Sequence, residues 1–289
     1  MKLFSKIKIY IEDRILFYCK FVRNPRIILS RVLKRINRRI ALRLLIEKKS
    51  YSLDKARKYW KYAPSSIGRV KTSSKKLIYL SDVDIKRLVE KSIQRRNTLQ
   101  GANIYRNNVS SWIKREKIKN LLDFGCGLGQ DGVYFAKNLG INVTFADIVM
   151  SNIKLVSRYP KIWGIETNGI YINCDPKEFQ FPEVYDAIFS NGVLHHTPEA
   201  KGIILNLKRF LKLHGLFICM LYTRKQFKET EARTLQEFAI LSESVAPIVN
   251  PYSDFYNVEK AKGIFEGFEL LETFQTYKGK FGWYVFRRK

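Results

Sequence analysis

From residue 119 onward, short apolar runs alternate with stretches whose apolar positions recur at three- and four-residue steps. That alternation predicts strands joined by helices, stacked as a mostly parallel α/β sheet. The strand-like runs are NLLDF (120–124), NVTFA (142–146), GIYINC (169–174), YDAIFS (185–190) and GLFICMLY (215–222). Two further runs, FELLETFQTY (268–277) and GWYVFRR (282–288), flank KGKF and predict a closing antiparallel hairpin, for seven strands in all. Helical period fits 129–139, 149–159, 197–212 and 257–266. Thr197-Pro198-Glu199 is a start signal for the third of these, a capping hydroxyl followed by Pro at the first helical position.

Upstream the pattern is helical throughout. Residues 3–22 and 26–49 predict two helices separated at Arg23-Asn24-Pro25, because a residue preceding Pro is pushed out of the helical region. In the second, Leu29, Leu33, Ile36, Ile40 and Leu44 form an apolar stripe flanked by Arg31, Arg35, Arg38, Arg39 and Arg43. A short helix is expected over 52–60 and a Ser/Gly/Lys-rich connection over 63–76. Ser81 with Asp84 three residues on can start a helix over 82–97, and another fits 103–116. The expected organisation is a basic amphipathic extension (1–60), a linker and helices leading into and covering the site (61–118), and an α/β domain (119–289). Within that domain, 223–257 is too long for a simple connection and reads as an insertion.

Charge sharpens this division. The chain of 289 residues carries a net +27, yet residues 1–120 hold 33 Lys and Arg against 8 Asp and Glu, a net +25, whereas 121–289 hold 20 against 18, a net +2. The basic character therefore belongs to the N-terminal part. A hydrophobic content of 46% is enough for a sizeable core. No apolar run approaches the length of a membrane span, and charges interrupt every candidate signal core near the N-terminus. Cys19, Cys126, Cys174 and Cys219 lie far apart without metal-ligand spacing, which points to reduced thiols in the cytoplasm and to no metal site.

The most informative stretch is NLLDFGCGLGQDG (120–132), where a strand runs into a glycine-rich turn. Such turns bring backbone N–H groups close to a ligand. The dinucleotide pattern Gly-x-Gly-x-x-Gly fails, because its last position is Gln130. The spacing present is Gly125-x-Gly127-x-Gly129, preceded by Asp123.

With its companions, LLDFGCGLGQDGVYFA, VTFADIV, YINCDPKEF, YDAIFSNGVLHHTPE and LKRFLKLHGLFICMLY, the turn resembles the class I S-adenosylmethionine-dependent methyltransferases, in their Methyltransferase-11-like branch. The resemblance covers about 120–222 and implies a Rossmann-like sheet and S-adenosylmethionine as cofactor. It places Asp123, Gly125, Cys126, Gly127 and Gly129 around the amino-acid part of that cofactor and Asp147 at the ribose hydroxyls. Asp175 falls where the family meets the adenine amine, Ile148 where it flanks the ring, and Asn191 beside the reacting centre. His195 and His196 follow the fourth strand, where a nucleophile would arrive, and are the candidates for a general base, with His195 preferred because it follows the strand end more closely. In the family an insertion at the place of 223–257 commonly lids the substrate pocket, which makes Tyr252, Asp254 and Tyr256 candidate acceptor contacts.

Most relatives with Gly-Val-Leu-His-His-Thr-Pro methylate hydroxyl or amino groups of small molecules, so a small or lipid-linked acceptor is expected, a surface-glycan precursor among them. No Asn/Asp-Pro-Pro-Tyr or Pro-Cys follows the fourth strand, which counts against methylation of base amines or of cytosine carbon. The basic extension has three readings: a peripheral grip on an anionic membrane through residues 1–49, a grip on RNA with Tyr51, Tyr59, Trp60 and Tyr62 for stacking, or a solvated basic face whose apolar stripe is buried against the rest of the protein or in a dimer.

Overall fold

The apolar runs fold into one seven-stranded sheet. The computed structural model describes residues 51–62, 65–67, 70–99, 101–243 and 250–289. The helices expected over 3–22 and 26–49 lie outside the described residues. In chain order the described elements are α1 (Leu53–Tyr62), a small hairpin of β1 (Ser65–Ile67) and β2 (Val70–Thr72), α2 (Ser74–Leu77), α3 (Asp82–Leu99) and α4 (Ala102–Arg115). Then come β3 (Asn120–Phe124), α5 (Gln130–Leu139), β4 (Asn142–Asp147), α6 (Met150–Val156), α7 (Tyr159–Trp163), β5 (Thr167–Tyr171), β6 (Tyr185–Asn191) and α8 (Ala200–Arg209). The chain continues through β7 (Leu211–Tyr222), α9 (Arg224–Glu229), α10 (Leu235–Glu243), α11 (Val258–Ile264), β8 (Phe268–Thr276) and β9 (Phe281–Arg288).

Strands β5, β4, β3, β6 and β7 run parallel, while β9 pairs antiparallel with both β7 and β8. This is the α/β sheet with a closing hairpin that the sequence predicts. Its chain order reverses between β3 and β6, and open α/β sheets bind ligands at such a switch point, beyond the carboxyl ends of the strands. One face of the sheet buries Phe135, Phe145, Phe189 and Trp283, the other Ile188, Phe217, Phe265 and Phe286. Each such side chain stabilises the fold by ~1.5–3 kcal/mol on leaving water.

Several boundaries shift for local reasons. Ser81 caps α3 as expected, accepting from the Asp84 amide (3.1 Å) and donating to the Asp84 carboxylate (2.8 Å). The stretch 197–212 divides instead: α8 begins only at Ala200, since Leu194–His196 forms a 3-10 turn and Thr197 Oγ1 accepts from the Glu199 amide. Strand β7 then starts at Leu211 and passes a bulge opposite Tyr185 and Ala187, with His214 at φ +63°. Strand β5 ends at Tyr171 rather than 174, and the chain beyond it is held by Arg57 of α1, whose Nη2 donates to the carbonyls of Ile172 (3.1 Å) and Cys174 (3.0 Å). The insertion comprises α9, α10 and the chain over 250–257.

Candidate active site

The turn after β3 is tied to the end of β4 before any ligand is considered. Gly125 N and Cys126 N donate to the Ala146 carbonyl at 2.8 and 3.1 Å. Gly125, Gly127 and Gly129 all have positive φ, of +73°, +56° and +65°. At Gly125 a Cβ would stand 2.3 Å from Val193 Cγ2, so both conformation and space demand glycine there. Asp147, the last residue of β4, accepts from Gly127 N (2.9 Å) and Val149 N (2.8 Å), closing the turn against the strand.

Two buried carboxylates therefore end neighbouring strands. Burial pushes Asp147 up to about 6. Burial also holds Asp123 well above the usual carboxylate range, and the charges of Asp131 and Asp147 add to the shift. Asp131, in the first turn of α5, behaves in the opposite way. Its Oδ1 accepts from Tyr105 Oη (2.8 Å) and from Arg106 Nε (2.8 Å) and Nη2 (2.5 Å), and its Oδ2 from Asn191 Nδ2 (2.8 Å). Although burial alone would raise it, Arg106 and Arg96 bring its pKa down to about 2.

Above these groups lies a cavity of about 580 Å³. Asp123, Gly125, Cys126, Gly127, Asp147, Ile148 and Asn191 all line it, from three different strand ends. Gly129 is not a wall residue; its Cα packs below the turn, where a Cβ would meet Val156 at 2.8 Å and Tyr159 at 2.9 Å. Asp175 stands outside the lining set, folded into a local turn: its Oδ1 accepts from Lys177 N (2.9 Å) and its Oδ2 lies 3.6 Å from Lys177 Nζ. Its neighbours Ile172 and Pro176 reach the cavity instead.

The two histidines occupy different environments. His195 is fully buried and packed on Tyr222 (ring centroids 3.8 Å), outside the cavity wall. Burial and then the neighbouring His196 hold its imidazole well below the usual histidine range. His196 lines the cavity. Its Nδ1 is 2.9 Å from Ser253 Oγ, 3.1 Å from Asn250 Nδ2 and 3.2 Å from the Tyr252 carbonyl.

That last set ties the chain over 250–257 to the histidine turn. Tyr252, Asp254 and Tyr256 are not wall residues. Asp254 is locked in place: its carboxylate meets Lys260 Nζ at 2.6 and 2.7 Å and Phe255 N at 2.7 Å, while its own amide donates to the His195 carbonyl at 2.8 Å. The Tyr252 hydroxyl donates to the same carboxylate, at 3.3 Å. Tyr256 is buried, and its amide donates to the Tyr222 carbonyl (2.8 Å). The segment is a buckle over the histidine turn, and Asn250 and Ser253 are its contacts with His196.

Sequence reasoning also passed over part of the wall. Helix α1 contributes Tyr59 and Trp60, which turn inward rather than outward; Tyr59 is 1% exposed and Trp60 lies 4.9 Å from the His196 ring. Arg96 of α3 lines the cavity and donates through Nη1 to Gln130 Oε1 (2.6 Å) at the start of α5. Tyr222, Tyr277 and Phe281 complete the far side. Their only sequence signal is an aromatic or basic residue near an element end, which many surface positions share. Among the described residues no group of three His, Cys, Asp or Glu side chains could hold a metal ion.

Comparison with known proteins agrees with this geometry. Residues 122–219 match the family model described as "Methyltransferase domain". That segment, about a third of the chain, is similar to a class I methyltransferase domain and lies in a Rossmann-like sheet. Over 98 residues the chain is 35% identical to a ubiquinone biosynthesis O-methyltransferase of Rickettsia felis, covering 34% of this chain and 39% of that protein. Over 118 residues it is 32% identical to malonyl-[acyl-carrier protein] O-methyltransferase 2 of Ilyobacter polytropus, covering 39% and 43%. The chain thus spans about two fifths of the length of these relatives. Among solved structures, a S-adenosylmethionine-dependent methyltransferase from Clostridium acetobutylicum shares the fold with a TM-score of 0.53 at 10% identity, over 69% of this chain and 98% of that one. Magnesium protoporphyrin IX methyltransferase from Synechocystis PCC 6803 does so with a TM-score of 0.51 at 14% identity, over 84% and 100%.

Proposed function

We propose that the protein transfers a methyl group from S-adenosylmethionine to a hydroxyl or amino group of a small or lipid-linked molecule. The observation that carries this reading is the pair of buried carboxylates, Asp123 and Asp147, at neighbouring strand ends around one glycine turn. Each is raised by burial, so each gains from a ligand that brings a cation or hydroxyl donors. A nucleoside joined to an amino acid through a sulfonium offers an ammonium for Asp123 and two ribose hydroxyls for Asp147. Ile148 supplies an apolar face for the base, and Arg96, bonded to Gln130 beside the turn, supplies a cation for the carboxylate end.

When bound, S-adenosylmethionine supplies a methyl group already activated for displacement. What remains for the protein is to align an acceptor and remove its proton. His196 is the base in this reading, because it faces the cavity while His195 does not. Nδ1 of His196 faces an acceptor, the Tyr252 carbonyl, a donor, the Asn250 amide nitrogen, and the Ser253 hydroxyl, which can be either, so these contacts fix the orientation of the ring. Asn250 and Ser253 hold that orientation. The experiment is calorimetry with S-adenosylhomocysteine: saturable heat is expected, lost in Gly125→Ala and Asp147→Ala, and a response to NAD in its place would overturn the reading.

For residues 1–49, with 15 Lys and Arg against 3 Asp and Glu, we propose an anionic membrane surface at the inner face as partner. The apolar stripe of residues 29–44 supports this over a purely electrostatic grip on RNA. The inward turn of Tyr59 and Trp60 adds support, since it withdraws two rings that RNA bases would stack on. Flotation with anionic phospholipid vesicles and a filter-binding assay with RNA separate the two.

A further inference from the structure

The acceptor side of the cavity is built from rings. Five aromatic side chains from separate parts of the fold line it in continuous contact. Trp60 of α1 meets His196 at 4.9 Å between centroids, and His196 meets Tyr222 at the end of β7 at 5.5 Å. Tyr222 stacks on Phe281 of β9 at 5.7 Å with 22° between planes, and Phe281 meets Tyr277 of the hairpin tip at 4.6 Å. Aromatic pairs favour offset-stacked and edge-on contacts, so a wall of rings offers both to a flat unsaturated guest and neither to a saturated one of equal bulk. His196, the proposed base, stands within that row.

Charge narrows the acceptor further. The carboxylates lining the cavity are Asp123, Asp131 and Asp147, all on the side of the glycine turn. Asp131 is taken by Arg106, Tyr105 and Asn191, and in the methyltransferase reading Asp123 and Asp147 face the ammonium and the ribose hydroxyls of the cofactor. An aliphatic amine arrives as an ammonium ion and needs a carboxylate beside it. The described part of the ring wall supplies none. A hydroxyl on an aromatic ring arrives neutral and meets a histidine.

We infer that the acceptor is a planar aromatic molecule methylated on a phenolic hydroxyl, held by the row Trp60–His196–Tyr222–Phe281–Tyr277. This rests on the methyltransferase reading and specifies its acceptor. In the transfer, a lone pair of the phenolic oxygen forms the new O–CH₃ bond as the S–CH₃ bond breaks, whose electron pair stays on sulfur. The phenolic proton goes to His196.

The test uses the full chain saturated with S-adenosylhomocysteine and three probes of matched size: 2-naphthol, decahydro-2-naphthol and 2-(aminomethyl)naphthalene. Calorimetry is expected to show 2-naphthol binding at least tenfold more tightly than either of the others. Trp60→Leu and Phe281→Leu should each weaken 2-naphthol by about three- to tenfold and leave S-adenosylhomocysteine affinity within twofold. With labelled S-adenosylmethionine, 2-naphthol should be the probe that gains the methyl group. Equal affinity for the saturated alcohol, tighter binding of the amine, or no 2-naphthol binding to the S-adenosylhomocysteine complex overturns the inference. Failure to bind S-adenosylhomocysteine itself overturns the methyltransferase reading instead, so the two failures are distinguishable.

Discussion

Single carboxylates set the pH behaviour expected of the site. Asp147 has a pKa of about 6, above the ordinary 3.8, so the uncomplexed protein draws stability from its protonated form below 3.8 and loses it as pH rises through about 6. A ligand whose hydroxyls require the ionised carboxylate opposes that preference. Affinity for S-adenosylhomocysteine should therefore fall as pH drops below 6, by about tenfold per pH unit for Asp147 and more steeply where Asp123, raised as well, also binds a proton, with proton release measurable by calorimetry in buffers of different ionisation enthalpy. Asp131 has the opposite sign: its pKa of about 2 means stability present above 3.8 and lost only as pH falls through about 2. Its partner Arg106 is fully buried. Arg106→Met should cost ~3–5 kcal/mol in urea unfolding, because Asp131 would be left charged and buried.

At the scale of elements, two segments outside the sheet shape the cavity. The buckle over 250–257 reaches His196 through Asn250 and Ser253 and is anchored by Asp254 on Lys260. Paired Asn250→Ala and Ser253→Ala substitutions should lower kcat by roughly 10- to 100-fold while KM for S-adenosylmethionine stays within threefold, as expected when a general base loses its orientation. Ser253→Thr, which retains the hydroxyl, should recover much of the rate. Helix α1 is pinned differently, through Arg57 on the carbonyls of Ile172 and Cys174. Arg57→Ala should release it at a cost of ~1–3 kcal/mol, seen as faster amide hydrogen exchange over 53–62 with the β3–β6 core unchanged.

Over the whole molecule, a nearly neutral C-terminal part follows a strongly basic N-terminal part, +2 against +25. Association driven by that charge should fall steeply with salt, whichever anionic surface is its partner. Vesicle flotation repeated over a salt series should show binding lost as ionic strength rises. The apolar stripe on residues 29–44 predicts that part of it persists at high salt.

The strand and helix order, the turn at Gly125–Gly129 and the acids Asp123 and Asp147 were legible in the sequence, because local periodicity and backbone conformation write themselves into neighbouring residues. Asp123 and Asp147 come to one cavity because parallel strands deliver their carboxyl ends to the same edge, so naming the strands already placed them. Which of two adjacent histidines faces that cavity is not a local property. It depends on a tight 3-10 turn and on Tyr222, which covers His195 from more than twenty residues away. The rings of Trp60, Tyr277 and Phe281 likewise become a wall only when α1 and the terminal hairpin close on the sheet. Residues 250–256 resembled a lid for their aromatics, yet their polar members, Asn250 and Ser253, reach His196. Chain-distant packing decided those assignments, since burial and contact belong to the folded arrangement and not to any one segment.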